Sequence, residues 1–279
     1  MVDGAVSEPA SAEETRSTFD PGAIRAVAFD AYGTLFDWDF RVALAEFLST
    51  HGIAADVEAA AKMFASEAFT AVSVWAPGHR AEDGKLDRSR MLDGPLPEWI
   101  STWEMWRRQF EYTFEKLGLA GDAAAGANHL RHVLTRAPAY EDAFEAVERI
   151  AARGLIMGLM SNADEDFLQG AVSHNRLRFS VIQSSESLRI YKPHRAAFAG
   201  LCARLGYAPH EVLYVGDSAP TDVAGALNAG LRTAWIHRPD AQAAQEAQPP
   251  QASDPPREAP PVPDMEVATL LAVAEALGA

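Results

Sequence analysis

The stretch Phe29-Asp30-Ala31-Tyr32-Gly33-Thr34-Leu35-Phe36-Asp37 carries the most chemistry for its length. It follows 24–28, an apolar run broken only by Arg25. Such a run is the pattern of a parallel strand buried on both faces. An Asp at the end of that strand stands at the carboxyl edge, where open α/β sheets place their sites. Gly33 lets the backbone turn sharply, and Thr34 brings a hydroxyl beside the carboxylate. A carboxylate so placed suits covalent catalysis, in which an ester or acyl phosphate divides one difficult step into two. Without partners, the same residues make an ordinary turn after a strand.

Three further groups supply partners. Met160-Ser161-Asn162 places a hydroxyl and an amide after a second apolar run. Tyr191-Lys192-Pro193 supplies a cation after a third. Val215-Gly216-Asp217-Ser218-Ala219-Pro220-Thr221-Asp222 follows a fourth, with two carboxylates in a strand-to-helix turn. Strand-end acids beside a first Asp form a donor set for a hard cation such as Mg²⁺. Each group alone has an ordinary reading: Ser-Asn in a turn, Lys on the surface, Asp222 at a helix start. Their order, each after a strand, brings Asp30, Ser161, Lys192, Asp217 and Asp222 to one place.

The elements that must position these groups alternate. Strand patterns fall at 25–30, 155–160, 179–183, 212–215 and 233–237. Helical patterns fall at 141–153, with Phe144, Val147 and Ile150 on one face, and at 195–205 and 221–229. Such alternation predicts an α/β fold with a parallel sheet covered on both faces. The interval 39–136 breaks it, being helical in pattern throughout, and is expected to form a cap inserted over the sheet's carboxyl edge. Within it Trp99, Trp103, Trp106, Phe110, Phe114 and Leu117 recur at helical spacing as a core stripe. The other uses of that stripe are a substrate-facing wall or a homodimer face. Gly78–Pro97 is expected to be irregular. Residues 1–22 are expected to be a disordered tail, 241–264 a Pro-rich linker, and 265–279 a closing helical segment with Val267, Leu270, Leu271, Val273 and Leu277 docked on the body. The core is then 23–38 with 137–240.

On these four motifs the chain resembles the haloacid dehalogenase superfamily of hydrolases, firmly over 25–37 and 155–237 and less so in the cap. The resemblance implies a Rossmann-like doubly wound parallel sheet with a helical cap. It implies Asp30 as nucleophile, a backbone-amide cradle at Ala31 and Tyr32, substrate contacts from Thr34 and Ser161, and Asn162 beside them. It further implies that Lys192 neutralises charge at the nucleophile and that Asp222 orients Lys192.

Two chemistries on this scaffold need different parts. Phosphate ester hydrolysis expels an alkoxide and gains from a proton donor. Phosphatases of the superfamily carry that acid as an Asp two residues after the nucleophile, where this chain has Tyr32. A phenol, with a pKa of about 10, is a poor substitute. Halide leaves without a proton, and the first motif closely resembles that of the 2-haloacid dehalogenases. The fourth motif points the other way. Metal-free dehalogenases resemble Ser-x-Asn-x-x-Asp there, whereas counting back from Asp222 gives Asp217 and Ala219. A complete Mg²⁺ site can be assembled from Asp30, the Tyr32 carbonyl and Asp217. The dehalogenase tyrosine six residues after the lysine is Phe198 here, and the cap arginine that holds the substrate carboxylate has Lys62 and Arg80 as its nearest candidates. A phosphonate-cleaving relative would reconcile the motifs, and needs a Schiff-base lysine from among Lys62, Lys85 and Lys116.

The missing leaving-group acid touches the reaction itself, whereas a metal site can persist unused. The sequence therefore favours hydrolytic dehalogenation of a small 2-haloacid. A Mg²⁺-dependent phosphatase or phosphonatase is the alternative, and a non-catalytic small-molecule binder a third reading. A net charge of −15 over 279 residues disfavours nucleic acid and anionic membrane as partners, without excluding a small anionic substrate in a local basic pocket. The single cysteine, Cys202, lies in a helical apolar pattern as a buried small hydrophobe. The acidic start carries no signal-like segment and no run reaches membrane-spanning length, so a soluble cytoplasmic protein without organic cofactor is expected.

Overall fold

The computed structural model describes residues 18–66, 88–238 and 261–279. A six-stranded parallel sheet has the order β3-β2-β1-β4-β5-β6. Its strands are β1 (Ala26–Phe29), β2 (Ile156–Ser161), β3 (Val181–Ser184), β4 (Val212–Gly216), β5 (Arg232–Ile236) and β6 (Met265–Val267). Phe29 lies level with Leu159 on one side and Val215 on the other. The chain runs outward from β1 through β2 and β3, then returns to the opposite side of β1 as β4. That reversal leaves a crevice at the carboxyl ends of β1 and β4, the place where doubly wound sheets bind ligands.

β1 is buried along its whole length. Val27 and Phe29 enter one core with helices α6 (Ala143–Ala152), α7 (Glu165–His174) and α11 (Leu270–Ala276). Ala26 and Ala28 enter the other with α9 (Arg195–Leu205) and α10 (Ala224–Asn228), the short turn α8 (Ser185–Leu188) lying between α7 and α9 in the chain. The period-two alternation of a strand thus feeds two opposite layers. The described part of 39–136 is helical: α1 (Phe40–Thr50), α2 (Val57–Phe64), α3 (Arg88–Asp93), α4 (Thr102–Leu117) and α5 (Ala123–Thr135). These helices have an aromatic centre of their own, with Phe47 and Phe110 ring centroids 5.2 Å apart. Among the described residues no helix is long and apolar enough to cross a membrane.

Several local expectations change. Residues 18–22 belong to the body: Phe19 packs on the main core and Asp20 caps the short turn Pro21–Ala23. In α6 the buried face is Ala143, Ala146, Val147 and Ile150, and Phe144 is exposed. Residues 88–93 form a helix despite nearby glycine and proline, because it docks: Asn228 Nδ2 donates to Asp93 at 3.2 Å, and Arg195 pairs with Asp93 at 3.2 Å. Trp99 precedes α4, and Trp103 sits at its surface, donating to Asn128. The closing segment begins as a strand, β6, before α11; three residues are too few to show a strand period. Of the linker, 261–264 belong to the body, where the Asp264 amide donates to the Thr233 carbonyl at 3.1 Å, and residues 1–17 and 241–260 lie outside the described residues.

Candidate active site

Asp30 follows β1 directly and its amide donates to the Val215 carbonyl at 2.8 Å, which binds the loop to β4. The carboxyl is buried. Lys192 Nζ donates to Asp30 Oδ1 at 2.5 Å and to Asp222 Oδ1 at 2.7 Å. Tyr214 OH accepts from the same ammonium at 2.9 Å. The Ala31 amide stands beside the Asp30 carboxylate and favours its ionised form. Asp222 is carried by the π-helical turn Ala219–Val223, and its Oδ2 accepts from Ser218 N at 3.0 Å. A Cβ on Gly216 would lie 2.4 Å from the Asp222 carboxyl carbon, so only glycine lets this turn close beneath β4.

Asn162 takes a supporting place. Its Oδ1 accepts from Lys192 N at 2.7 Å, and its Nδ2 donates to Lys192 O at 3.0 Å. It therefore grips the lysine backbone from both sides. Ser161 is buried at the end of β2, level with Ser184. Thr34 Oγ1 donates to Asp217 Oδ1 at 3.4 Å rather than to Asp30. Gly33 has φ +91°, and a Cβ there would lie 2.4 Å from Asp217 Oδ2. The turn predicted at Gly33 is thus also the surface on which Asp217 lies.

Electrostatics follow from one cation among three acids. Burial alone would lower Lys192, but Asp222 and then Asp30 outweigh it, so the ammonium stays charged. Burial raises Asp30 to about 6, against the opposing pull of Lys192 and with added repulsion from Asp222. The pair is tight, yet one ammonium cannot fully compensate two carboxylates, so Asp30 ends above the usual range. Asp217 is also raised, by the packing around its carboxyl and then by Asp30 and Asp222. Its side chain is open to water, so the neighbouring carboxylates outweigh desolvation there.

Carboxylate oxygens of Asp30, Asp217 and Asp222 lie within 4.8 Å of one another. The crowding of hard oxygen donors fits a divalent cation. Asp222 is committed to Lys192 and Ser218, which leaves Asp30, Asp217 and the Tyr32 carbonyl as the set that would hold one. The Tyr32 side chain faces elsewhere. Its hydroxyl reaches the carbonyls of Leu134 and Phe167, each at 3.3 Å. Its ring packs among Phe36, Trp38 and Phe167, and burial pushes the phenol far above its ordinary value.

Of the cap candidates, Lys62 is exposed on the last turn of α2, and among the described residues no hydrogen bond or ion pair joins it to the Asp30 cluster. Lys116 pairs with Glu115 at 3.3 Å. Arg80 and Lys85 lie outside the described residues. Three contributors were not legible beforehand. Tyr214 was hidden in an apolar strand, although a buried phenol needs a polar partner. Asp164 accepts from Thr102 N at 2.7 Å and Trp103 N at 2.9 Å, fastening the start of α4 to the core. Arg238, among the last residues of the core, donates to the Thr34 carbonyl at 2.8 Å.

The family model of the haloacid dehalogenase-like hydrolases matches residues 24–230. The chain belongs to this family. It is a hydrolase with the family's sheet and helical cap. The (S)-2-haloacid dehalogenase of Xanthobacter autotrophicus is 29% identical over 217 residues, 77% of this chain and 76% of the relative. A solved structure of the L-2-haloacid dehalogenase from Xanthobacter autotrophicus with chloropropionic acid covalently bound aligns with a TM-score of 0.65 at 26% identity, over 91% of this chain and 98% of that one. A phosphoserine phosphatase of Thermus thermophilus is 32% identical over 153 residues, 52% of this chain and 60% of the relative. Both reaction classes suggested by the motifs thus occur among the hydrolases it resembles.

Proposed function

We propose that this hydrolase removes halide from a small 2-haloacid through an ester on Asp30. The observation that carries the reading is Tyr32. At the position where a phosphatase needs an acid, the hydroxyl is engaged by Leu134 and Phe167 carbonyls and is held neutral by burial. A leaving group that departs unprotonated is what such a site can serve.

In the first step an Asp30 carboxylate oxygen attacks C2 of the acid, the carbon–halogen bond breaks, and halide leaves with the electron pair. Lys192 holds Oδ1 and leaves Oδ2 for attack. In the second step water attacks Cγ of Asp30 and the 2-hydroxy acid departs. Lys192 and the Ala31 amide stand where negative charge develops on the carbonyl oxygen.

Asp217 favours a second reading. With Asp30 and the Tyr32 carbonyl it would hold Mg²⁺, which would neutralise a phosphoryl group beside Asp30. Halide release from 2-chloropropionate and phosphate release from an aryl phosphate, each with and without chelator, separate the two. Halide release unaffected by chelator is expected; chelator-sensitive phosphate release without halide would overturn the reading. Asp30→Asn should abolish turnover at early times, before an Asn there can deamidate back.

A further inference from the structure

Tyr214 stands in the middle of β4, buried, with its ring edge-on to Phe198 at 5.1 Å between centroids. A buried phenol that served only packing would need one polar partner. This one sits at a junction. It accepts from Lys192 Nζ at 2.9 Å, donates to the Met160 carbonyl at 3.1 Å, and lies 3.4 Å from Asp222 Oδ1.

An ammonium has three N–H donors. Its three shortest contacts here are Asp30 at 2.5 Å, Asp222 at 2.7 Å and Tyr214 at 2.9 Å. The Met160 carbonyl is a more distant fourth at 3.4 Å, and it already accepts from Tyr214. The phenol therefore fills the third donor direction and occupies the competing acceptor. The other two N–H groups have only the carboxylates left to them.

We propose that Tyr214 is a positioning residue, whose hydroxyl fixes the rotation of the Lys192 ammonium so that one N–H stays on Asp30 Oδ1. The consequence rests on the reading of Asp30 as nucleophile. During hydrolysis of the ester, water oxygen bonds to Cγ and negative charge gathers on Oδ1. The intermediate then expels the 2-hydroxy acid oxygen. One water proton ends on that oxygen and the other goes to solvent as Asp30 returns to carboxylate. Without the phenol, Lys192 is free to turn toward Met160 O, and the oxyanion loses its donor. The second step is therefore the one that slows.

Tyr214→Phe tests this, since it keeps the ring against Phe198 and removes one atom. Halide release from 2-chloropropionate should fall in kcat by roughly tenfold or more, the scale at which orienting partners of an active-site group act, with KM falling in step so that kcat/KM is little changed. Quenched samples should show the Asp30 ester accumulating by mass spectrometry, and a crystal structure should show Nζ shifted toward Met160 O. Para-aminophenylalanine at position 214, which restores a donor and acceptor at the same atom, should return most of the lost rate and keeps the test open should Tyr214→Phe not fold. Phe198→Leu, which loosens the packing and spares the hydroxyl, should lower the melting temperature with little loss of kcat. The inference is overturned if Tyr214→Phe leaves kcat and Nζ unchanged, or if Phe198→Leu lowers kcat as far. A wild-type protein that releases no halide would refute the dehalogenase reading instead, and the position of Nζ in the variant crystal would still decide the role of Tyr214.

Discussion

Asp30 must be ionised to attack carbon, and its surroundings hold it at about 6. An acid raised above its usual value is protonated at a pH where a free carboxyl is not. Activity is therefore expected to rise with pH through about 6 and then level, because Lys192 stays charged well beyond that range. Asp222 contributes repulsion to that shift. Asp222→Asn should accordingly move the acid limb of the kcat/KM profile to lower pH while reducing its height, since Lys192 loses a partner. A limb that moved upward would show that Asp222 acts on Asp30 chiefly through the lysine. Chelator should leave the limb in place under the dehalogenase reading. A divalent cation on Asp30 and Asp217 would instead favour the carboxylate and pull the limb down, so a chelator-induced rise would support the phosphatase reading. Most of these acids were legible in the sequence, because each closes an apolar run where a parallel sheet exposes its carboxyl edge. The partners that aim them were not. Asn162 reads as a turn residue, and only the fold shows it gripping the backbone of Lys192, thirty positions away.

Asp164 shows how an element is held over the site. The first turn of α4 has four amides without helical partners. Asp164 takes those of Thr102 and Trp103, and Ser101 takes that of Glu104 through its hydroxyl at 3.1 Å, while its carbonyl opens the helical ladder from Met105 N at 3.0 Å. The cap helix therefore starts on a carboxylate that belongs to the core, two residues after Asn162. Tyr191, next to Lys192, adds a bond from its hydroxyl to the Ile100 carbonyl at 2.8 Å. Asp164→Ala is expected to cost about 1–2 kcal/mol, the range for loss of a capping acid, read as a lower midpoint in urea. Because the same contact sets the cap against the sheet edge, KM should rise by more than kcat falls. An unchanged KM would mean that the cap keeps its register without Asp164. The strands and helices of the core announced themselves by period, whereas this fastening did not: an Asp after Ser-Asn-Ala has no pattern linking it to amides some sixty residues earlier. The same holds for α3, whose glycine and proline neighbours signal a loop while Asp93 is held by α9 and α10.

At the scale of the whole molecule, the end of the chain is tied to the nucleophile loop through a relay of polar groups. β6 pairs with β5, and Asp264 accepts from Thr233 N at 2.8 Å and from Arg232 at 3.0 Å. Leu270 N, opening α11, donates to Asp142 Oδ2 at 2.6 Å. Asp142 pairs with Arg238 at 3.0 Å, and Arg238 donates to the Thr34 carbonyl while its guanidinium lies 3.6 Å from the centre of the Tyr140 ring. Leu270, Val273, Ala274 and Leu277 complete the core beneath Val27 and Phe29. Composition pointed to a linker followed by a docked helix, and could not show that the segment also supplies a strand, since Met-Glu-Val acquires its register only from β5. Removal of residues 261–279 uncovers the β5 edge and the apolar face of α6 together. Each buried leucine or valine contributes roughly 1.5–3 kcal/mol, so the loss is comparable with the whole stability of a typical domain. The truncated chain should aggregate or melt far below the full protein. Arg238→Met tests the relay more gently. It leaves β6 and α11 in place and removes the hold on Thr34, so the melting temperature should fall by only a few degrees. Halide release should fall further than that loss of stability explains, because the turn bearing Thr34 and Gly33 also sets Asp217. Equal kcat in Arg238→Met and wild type would show that the loop is positioned by β1 and β4 alone.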